Sequence, residues 1–333
     1  MHMADALLSP AVGVAFYAVS AGALCLAVRK VDKADLEGSK LPLMAVSGAF
    51  VFAAQMINFA IPLTGSSGHI TGGILLAALL GASPALLSVA AVLVVQCLLF
   101  ADGGLLALGA NVFNMGVIPC LVVYPLLFRP LVRRGLSHRR LTLAAVLSAV
   151  VSLELGAFCV ALQTLASGVT ELPFATFIAL MLPIHLAIGL VEGLATAALL
   201  NFVLKVRPEL LAEGLAEGEA SPVKRPALGI VAVGAGLAVL VAGAVSLAAS
   251  SKPDGLEWSM EHAAGTAELE RSTEVHQAAQ IVQQKTALLP DYELPNGEGT
   301  GAAGVVGATL TCALALGAGV AVSSLKRRSK TAQ

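Results

Sequence analysis

Ile70-Thr-Gly-Gly-Ile-Leu-Leu-Ala-Ala-Leu-Leu-Gly-Ala-Ser-Pro-Ala-Leu-Leu-Ser-Val-Ala-Ala-Val-Leu-Val-Val-Gln-Cys-Leu-Leu-Phe100 is the stretch on which the architecture turns. No charged residue interrupts it. A bilayer core takes about 20 apolar residues per helix, so the run is long for one span and short for two. Gly81-Ala-Ser-Pro84 divides it into pieces of about 12 and 17 residues. Basic residues decide between the readings, because cytoplasmic loops collect Lys and Arg. They cluster at Arg29/Lys30/Lys33/Lys40, Arg129/Arg133/Arg134/Arg139/Arg140, Lys205/Arg207/Lys224/Arg225 and Lys326/Arg327/Arg328/Lys330. If 70–100 crosses once, the first two clusters fall on opposite faces; if it crosses twice, all four share one face.

Two short crossings join clear apolar runs near 11–28, 43–60, 105–128, 141–165, 174–204, 228–250 and 303–325. The expectation is an all-α polytopic membrane bundle of nine spans, seven plus two, with the N-terminus outside and the C-terminus cytoplasmic. Composition agrees. Of 333 residues, 57% are hydrophobic and 12% charged, with mean hydropathy +0.86. Soluble domains carry about 25% charged residues, so a soluble enzyme and a disordered chain are both excluded. A net charge of −1 gives no pull toward nucleic acid. On the nine-span reading it hides a polarity: the inner side holds 17 basic and 7 acidic residues, the outer side 3 and 12. Five single cysteines inside apolar runs (Cys25, Cys97, Cys120, Cys159, Cys312) read as small buried hydrophobes, with no thiolate metal spacing.

The segment Leu63-Thr-Gly-Ser-Ser-Gly-His-Ile-Thr71 precedes the first short piece. Gly72 to Ala82 spans roughly 16 Å as helix, well short of a bilayer core. Either this segment enters the membrane as irregular backbone, which must then be buried in protein, or the helix starts deep. Both place His69 inside the bundle from the outer face. The first ten residues hold no Lys or Arg, unlike a cleaved secretory signal, so the terminus is expected to stay, on the outer side.

That terminus carries a chelating pattern. The Met1 amine, the backbone nitrogen of His2 and its imidazole Nδ1 close fused five- and six-membered rings in one plane. One equatorial position stays open, and the His69 imidazole completes a square of four nitrogens that suits Ni(II) or Cu(II). Mg²⁺, Ca²⁺ and Zn²⁺ do not deprotonate a backbone amide in that plane.

At these residues the chain resembles a known family. Met1-His-Met-Ala-Asp-Ala-Leu-Leu-Ser-Pro10 is similar to the MHIPDGFLSP opening of the CbiM/NikM family, the substrate-binding membrane components of energy-coupling-factor cobalt and nickel transporters. Gly65-Ser-Ser-Gly-His-Ile-Thr-Gly-Gly73 resembles its SGH loop. Leu98–Leu105 and Gly109-Ala-Asn-Val-Phe-Asn-Met-Gly116 resemble its next signature. The departures are Met3, Ala4 and Ala6, which spare the ligand atoms but bear on the turn that seats the terminus. Pro253-Asp-Gly-Leu-Glu-Trp-Ser-Met-Glu-His262 resembles the PDGLE module of the NikN-type auxiliary component.

The resemblance implies a metal-binding part (1–205), a cytoplasmic linker (206–226) and a two-helix module with an extracytoplasmic loop (227–333). It implies Met1, His2 and His69 as metal ligands, and Ni²⁺ or Co²⁺ as the transported ion with no tightly bound cofactor. It further implies capture at the outer face of a prokaryotic plasma membrane, in the family's service to cobalamin biosynthesis. The expected partners are a CbiQ/NikQ-like coupling subunit, two CbiO/NikO-like ATPase subunits and the bilayer, with no nucleic acid. The chain itself has no Walker-type phosphate loop.

Asp102, Asn111 and Asn114 sit near outer helix ends, where they either orient metal ligands or cap helices. Glu154, His185 and Glu192 lie within spans; satisfied interhelical contacts are the favoured reading. An intramembrane metalloenzyme or hydrolase built on those three is the rival, without an HExxH or G-x-S-x-G motif to support it. Gly189 and Gly193 permit close packing, either internal or against a partner. His138 reads as solvated, and His262 and His276 as surface residues of the acidic outer loop.

Overall fold

In a bilayer every backbone amide must find its partner within the protein, which helices achieve segment by segment. The computed structural model describes residues 1–31, 40–215, 228–267, 269, 273–294 and 299–331. Residues 216–226 of the expected linker and the basic residue Lys33 lie outside them.

The helices are α1 (Pro10–Lys30), α2 (Lys40–Gln55), α3 (Gly73–Leu80), α4 (Ala82–Phe100), α5 (Leu108–Val132), α6 (His138–Ala166), α7 (Phe174–Val206), α8 (Pro208–Leu215), α9 (Leu228–Gly243), α10 (Gly255–Ala264), α11 (Glu274–Thr286) and α12 (Thr300–Thr331). All nine expected apolar runs are helical. Six are long and apolar enough to cross a membrane; α2, α3 and α9 are shorter. The run read as 43–60 stops at Gln55, where the chain turns into β1 (Phe59–Ala60), paired antiparallel with β2 (Ser67–Gly68). These two-residue strands are the only ones among the described residues.

The run 70–100 is divided at Gly81 as expected, and the division is sharp. Gly72 (φ 74°) and Gly81 (φ 85°) bound α3 in backbone conformations that glycine adopts without strain. Eight residues rise about 12 Å, and nearly every one is buried. Beneath α3, Pro208–Leu215, read from sequence as the start of a linker, is instead the helix α8. Its Leu211 joins the core lined by Leu76 and Leu80. The buried side chains of Leu210 and Leu211 explain the difference, because they pack where the short α3 leaves room.

Helix α4 is central, packed against α1, α2, α3, α5 and α12. Pro119 and Pro125 have no amide hydrogen to donate, and Phe113–Phe128 within α5 winds in the wider i→i+5 manner. Helices α6 and α7 form the most extensive pair. A Cβ at Gly193 would stand 2.6 Å from Val146 Cα, and one at Gly189 2.9 Å from Val150 Cα. The small-residue stripe on α7 is therefore used internally. Helices α9 and α12 pack together and against α2, around Phe52, Phe100 and Ala242. Exposed Val and Leu side chains run along α1, α6, α7, α9 and α12, the outward surface a lipid-facing bundle presents. All five cysteines are unpaired; Cys25, contrary to expectation, is exposed on α1.

Replacing Gly193 by leucine forces α6 and α7 apart. The cost expected of such overpacking is about 1–3 kcal/mol, measured as a lower melting temperature of the detergent-solubilised protein; an unchanged melt would contradict the close packing.

Candidate metal centre

The first residues fold into the bundle instead of trailing from it. A turn at Asp5–Leu7 redirects the chain, and Met3, Leu7 and Leu8 are fully buried. Asn111 of α5 reads the Met3 backbone on both sides: its Oδ1 accepts from Met3 N at 2.8 Å and its Nδ2 donates to Met3 O at 3.2 Å. Asp5 Oδ1 accepts from Ala107 N at 3.0 Å, and a Cβ at Gly104 would collide with that carboxylate. A Cβ at Gly156 of α6 would stand 2.5 Å from Met1 Cε, so that glycine makes room for the Met1 side chain.

These contacts hold the terminal amine 3.4 Å from His69 Nε2 and 2.9 Å from Asp254 Oδ2. The His2 and His69 rings stack with centroids 5.2 Å apart, tilted by 21°. Among the described residues, no three His, Cys, Asp or Glu side chains group closely enough to hold a metal alone. A set of more than two ligands here draws on main-chain nitrogen, and the Met1 amine and His2 amide can supply it.

Hydrogen-bond direction fixes where the lone pairs lie. Gln55 Nε2 donates to the Thr71 carbonyl at 2.8 Å, so Gln55 Oε1 accepts from Gln96 Nε2 at 2.7 Å. Gln96 Oε1 must then accept from His2 Nε2, 3.1 Å away. A carbonyl can only accept, so the relay assigns the hydrogen to His2 Nε2 and leaves Nδ1 as the basic nitrogen. Nδ1 faces Asp102 Oδ1 at 3.2 Å. A lone pair opposed to a carboxylate favours a cation between them, proton or metal. Tyr292 donates to the other Asp102 oxygen at 2.5 Å. In His69, Nδ1 lies 3.1 Å from the Ile70 carbonyl, so Nε2 carries the lone pair, toward the amine.

Burial pushes the His2 imidazole below its ordinary value against the pull of Asp102. Burial likewise pushes His69 down to about 3, the Met1 ammonium and His2 adding to it. Both rings are ready as neutral donors. Burial alone would raise the Asp254 carboxyl, but the Met1 ammonium outweighs it and holds the group well below the usual carboxylate range.

The His69 loop is held from below. Glu192 of α7, 1% exposed, accepts from Thr71 N at 2.8 Å, Thr71 Oγ1 at 2.9 Å and Gly72 N at 3.0 Å. The structure thus brings together Met1, His2, His69, Asp102 and Asn111. Asn114 sits one step away, bonded reciprocally to Gln163 at 2.8 and 3.0 Å. The trio Glu154, His185 and Glu192 is not a site: no hydrogen bond joins any two of them among the described residues. Nor do these groups make the interhelical contacts expected of them. Glu192 serves the loop, while Glu154 Oε1 and His185 Nε2 are buried without partners among the described residues. His138 bonds Asn201 at 2.7 Å. His276 is not a surface residue: 5% exposed, its Nε2 reaches the carbonyls of Asp5 and Leu8 at 3.1 and 2.9 Å. His262 is exposed and packs against Trp258, the ring centroids 4.2 Å apart and the planes tilted by 31°.

Sequence reasoning missed Asp254, His276, Gln283 and Tyr292, all from the last third of the chain. Gln283 donates to the carbonyls of Cys97 and Gly103 at 2.9 and 2.7 Å. The one available signal was Asp254-Gly-Leu-Glu257, a capping box. Asp254 Oδ1 caps Leu256 and Glu257, leaving Oδ2 for the amine.

Residues 2–210 match the CbiM family, described as the cobalt uptake substrate-specific transmembrane region, and residues 228–324 match the PDGLE domain. A putative fused nickel transport protein NikMN of Archaeoglobus fulgidus is 32% identical over 94% of this chain and 96% of its own. A probable fused nickel transport protein LarMN of Lactiplantibacillus plantarum is 33% identical over 78% of each chain. A crystal structure of a truncated transition metal transporter is 31% identical, with TM-score 0.53 over 62% of this chain and 99% of that one.

Replacing Asn111 by alanine leaves the Met3 amide and carbonyl without their side-chain partner. Stability should fall by about 1–3 kcal/mol for the buried group left unpaired, read from thermal melts of the purified protein.

Proposed function

Because the chain belongs to the CbiM family and carries a PDGLE domain after that region, we propose that it captures Ni²⁺ or Co²⁺ with its own N-terminus for uptake across a prokaryotic plasma membrane. It is a transport component and not an enzyme. The observation that carries the reading is the convergence of the Met1 amine, the His2 ring and the His69 ring in one buried spot, with the amine 3.4 Å from His69 Nε2.

The ion replaces the protons of the amine and of the His2 amide, and takes Nδ1 of His2 and Nε2 of His69 as imidazole donors. Nδ1 exchanges its contact with Asp102 for the ion, whose charge that carboxylate then faces. The Gln55–Gln96 relay keeps the opposite nitrogen protonated and the ring oriented. Four in-plane nitrogens favour nickel, as a low-spin d⁸ ion, over cobalt. Residues 1–205 form the metal-binding part, 206–226 the connection, and 227–333 the module that covers the site through Asp254, His276 and Tyr292. Release into the cell is driven by a CbiQ/NikQ-like coupling subunit and two CbiO/NikO-like ATPases, since this chain carries no phosphate-binding loop. The acidic outer side draws cations to the capture face.

Placing a few residues ahead of Met1 removes the amine and should abolish tight nickel binding by the full chain while the purified protein stays folded and helical, at the lower melting temperature that loss of the Met1–Asp254 pair brings. Tight binding by the extended protein would sink the reading. With both imidazoles already neutral, binding should release about two protons per ion, from the ammonium and the amide. Calorimetry in buffers of different ionisation enthalpy measures that number, and a release of none would be incompatible with an amine–amide chelate.

A further inference from the structure

His185 is the buried group that the capture site does not use. It lies on α7 about 16 Å along the helix from Phe174 at 1.5 Å per residue, and it is fully buried. Its Nδ1 sits 2.8 Å from the Met181 carbonyl. That carbonyl can only accept, so Nδ1 carries the hydrogen and Nε2 the lone pair. Nε2 has no hydrogen-bond partner among the described residues. Buried nitrogens are nearly always satisfied, so an exception calls for a partner such as a water or an ion.

The surroundings say which chemistry. His185 lines a cavity of about 10 Å³ together with Met1, His69 and Asp254, space for one water-sized occupant. Glycines on both sides keep it narrow. A Cβ at Gly68 would stand 2.5 Å from Ile188 Cγ1, and one at Gly255 3.2 Å from His185 Cε1. Two imidazoles therefore line one small chamber, each with its Nδ1 tied to a carbonyl and its Nε2 basic. This is the pattern of metal-binding histidines held by a main-chain acceptor.

We propose that His185 Nε2 and His69 Nε2 form an inner station for the transported cation, which passes to it from the terminal chelate. The step rests on the capture reading above. The ion keeps His69, leaves the amine, the amide and His2, and gains His185; the two main-chain nitrogens take protons back from solvent. Asp254, on the same cavity wall, balances the ion's charge. Glu192 binds the loop that carries His69 and lies two turns from His185 on the same helix. A shift of α7 therefore moves both imidazoles together, which keeps the station intact while the chelate opens.

The test uses the full chain in lipid nanodiscs with an N-terminal extension and His2→Ala, which removes the amine and the imidazole that flank the residue-2 amide and so leaves His69 as the one side-chain donor of the chelate, and Co²⁺ alone as the probe. X-ray absorption should count two imidazoles on one weakly held ion. His185→Ala in that background should remove one imidazole and weaken binding by at least about tenfold. His185→Cys should instead show a thiolate-to-cobalt charge-transfer band, which arises only where that side chain touches the ion in a folded site. A single imidazole, no bound Co²⁺, or an imidazole pair that survives His185→Ala would each overturn the station. Failure of the capture reading is separate: the extended chain with His2 intact would then bind nickel as tightly as the native terminus does.

Discussion

A charged amine at the start of a chain is ordinarily left in water, and here it is buried. Removing an ammonium from solvent costs several kcal/mol unless a counter-charge and hydrogen bonds replace the water. Asp254 supplies the charge and His69 a lone pair. Neither is local in sequence, so the terminus can be seated only when three remote segments meet. The narrow places around it follow from that demand. Gly104 yields to the Asp5 carboxylate, Gly156 to the Met1 side chain, and Asn111 replaces the strand partner that Met3 lacks. The shortness of α3 belongs to the same arrangement, because the loop before it must descend into the bundle to deliver His69.

The loop is fastened at both ends of its functional stretch. Ser67 donates to the carbonyls of Pro253 and Lys252, and Thr71 and Gly72 donate to Glu192. One tie runs to the C-terminal module and the other to α7, so any rearrangement of either is felt at His69. Asp102 is likewise shared, with His2 on one side and Tyr292 of the module on the other. The module thus contributes polar groups to the surroundings of the N-terminus as well as apolar surface to α2.

Much of this was legible in the residues. Charge-free runs and the sidedness of Lys and Arg located all nine apolar helices, including the divided pair at 70–100. The convergence of Met1, His2 and His69 was readable because the pattern at the terminus is short and local and needs only one loop histidine beside it. The contributions of Asp254, His276 and Tyr292 were not readable, because each is an unremarkable polar residue in an acidic loop until tertiary structure sets it against residues 1 to 8 or Asp102. His276 looked solvent-exposed for the same reason. Pro208–Leu215 misled in the other direction: Pro and Glu suggested a linker, while the leucines between them had a core to enter. The rule that ionisable groups inside a membrane find partners held for Glu192 and, among the described residues, failed for Nε2 of His185 and Oε1 of Glu154.

The ion pair between the first residue and Asp254 also has a timetable. Ribosomes deliver about 5–20 residues per second, so the amine is made roughly ten to fifty seconds before the carboxylate that neutralises it. During that interval the first helices are already inserting with their seat for the terminus incomplete. The order of synthesis therefore leaves the seat of the terminus open at least until the segment carrying Asp254 has been made.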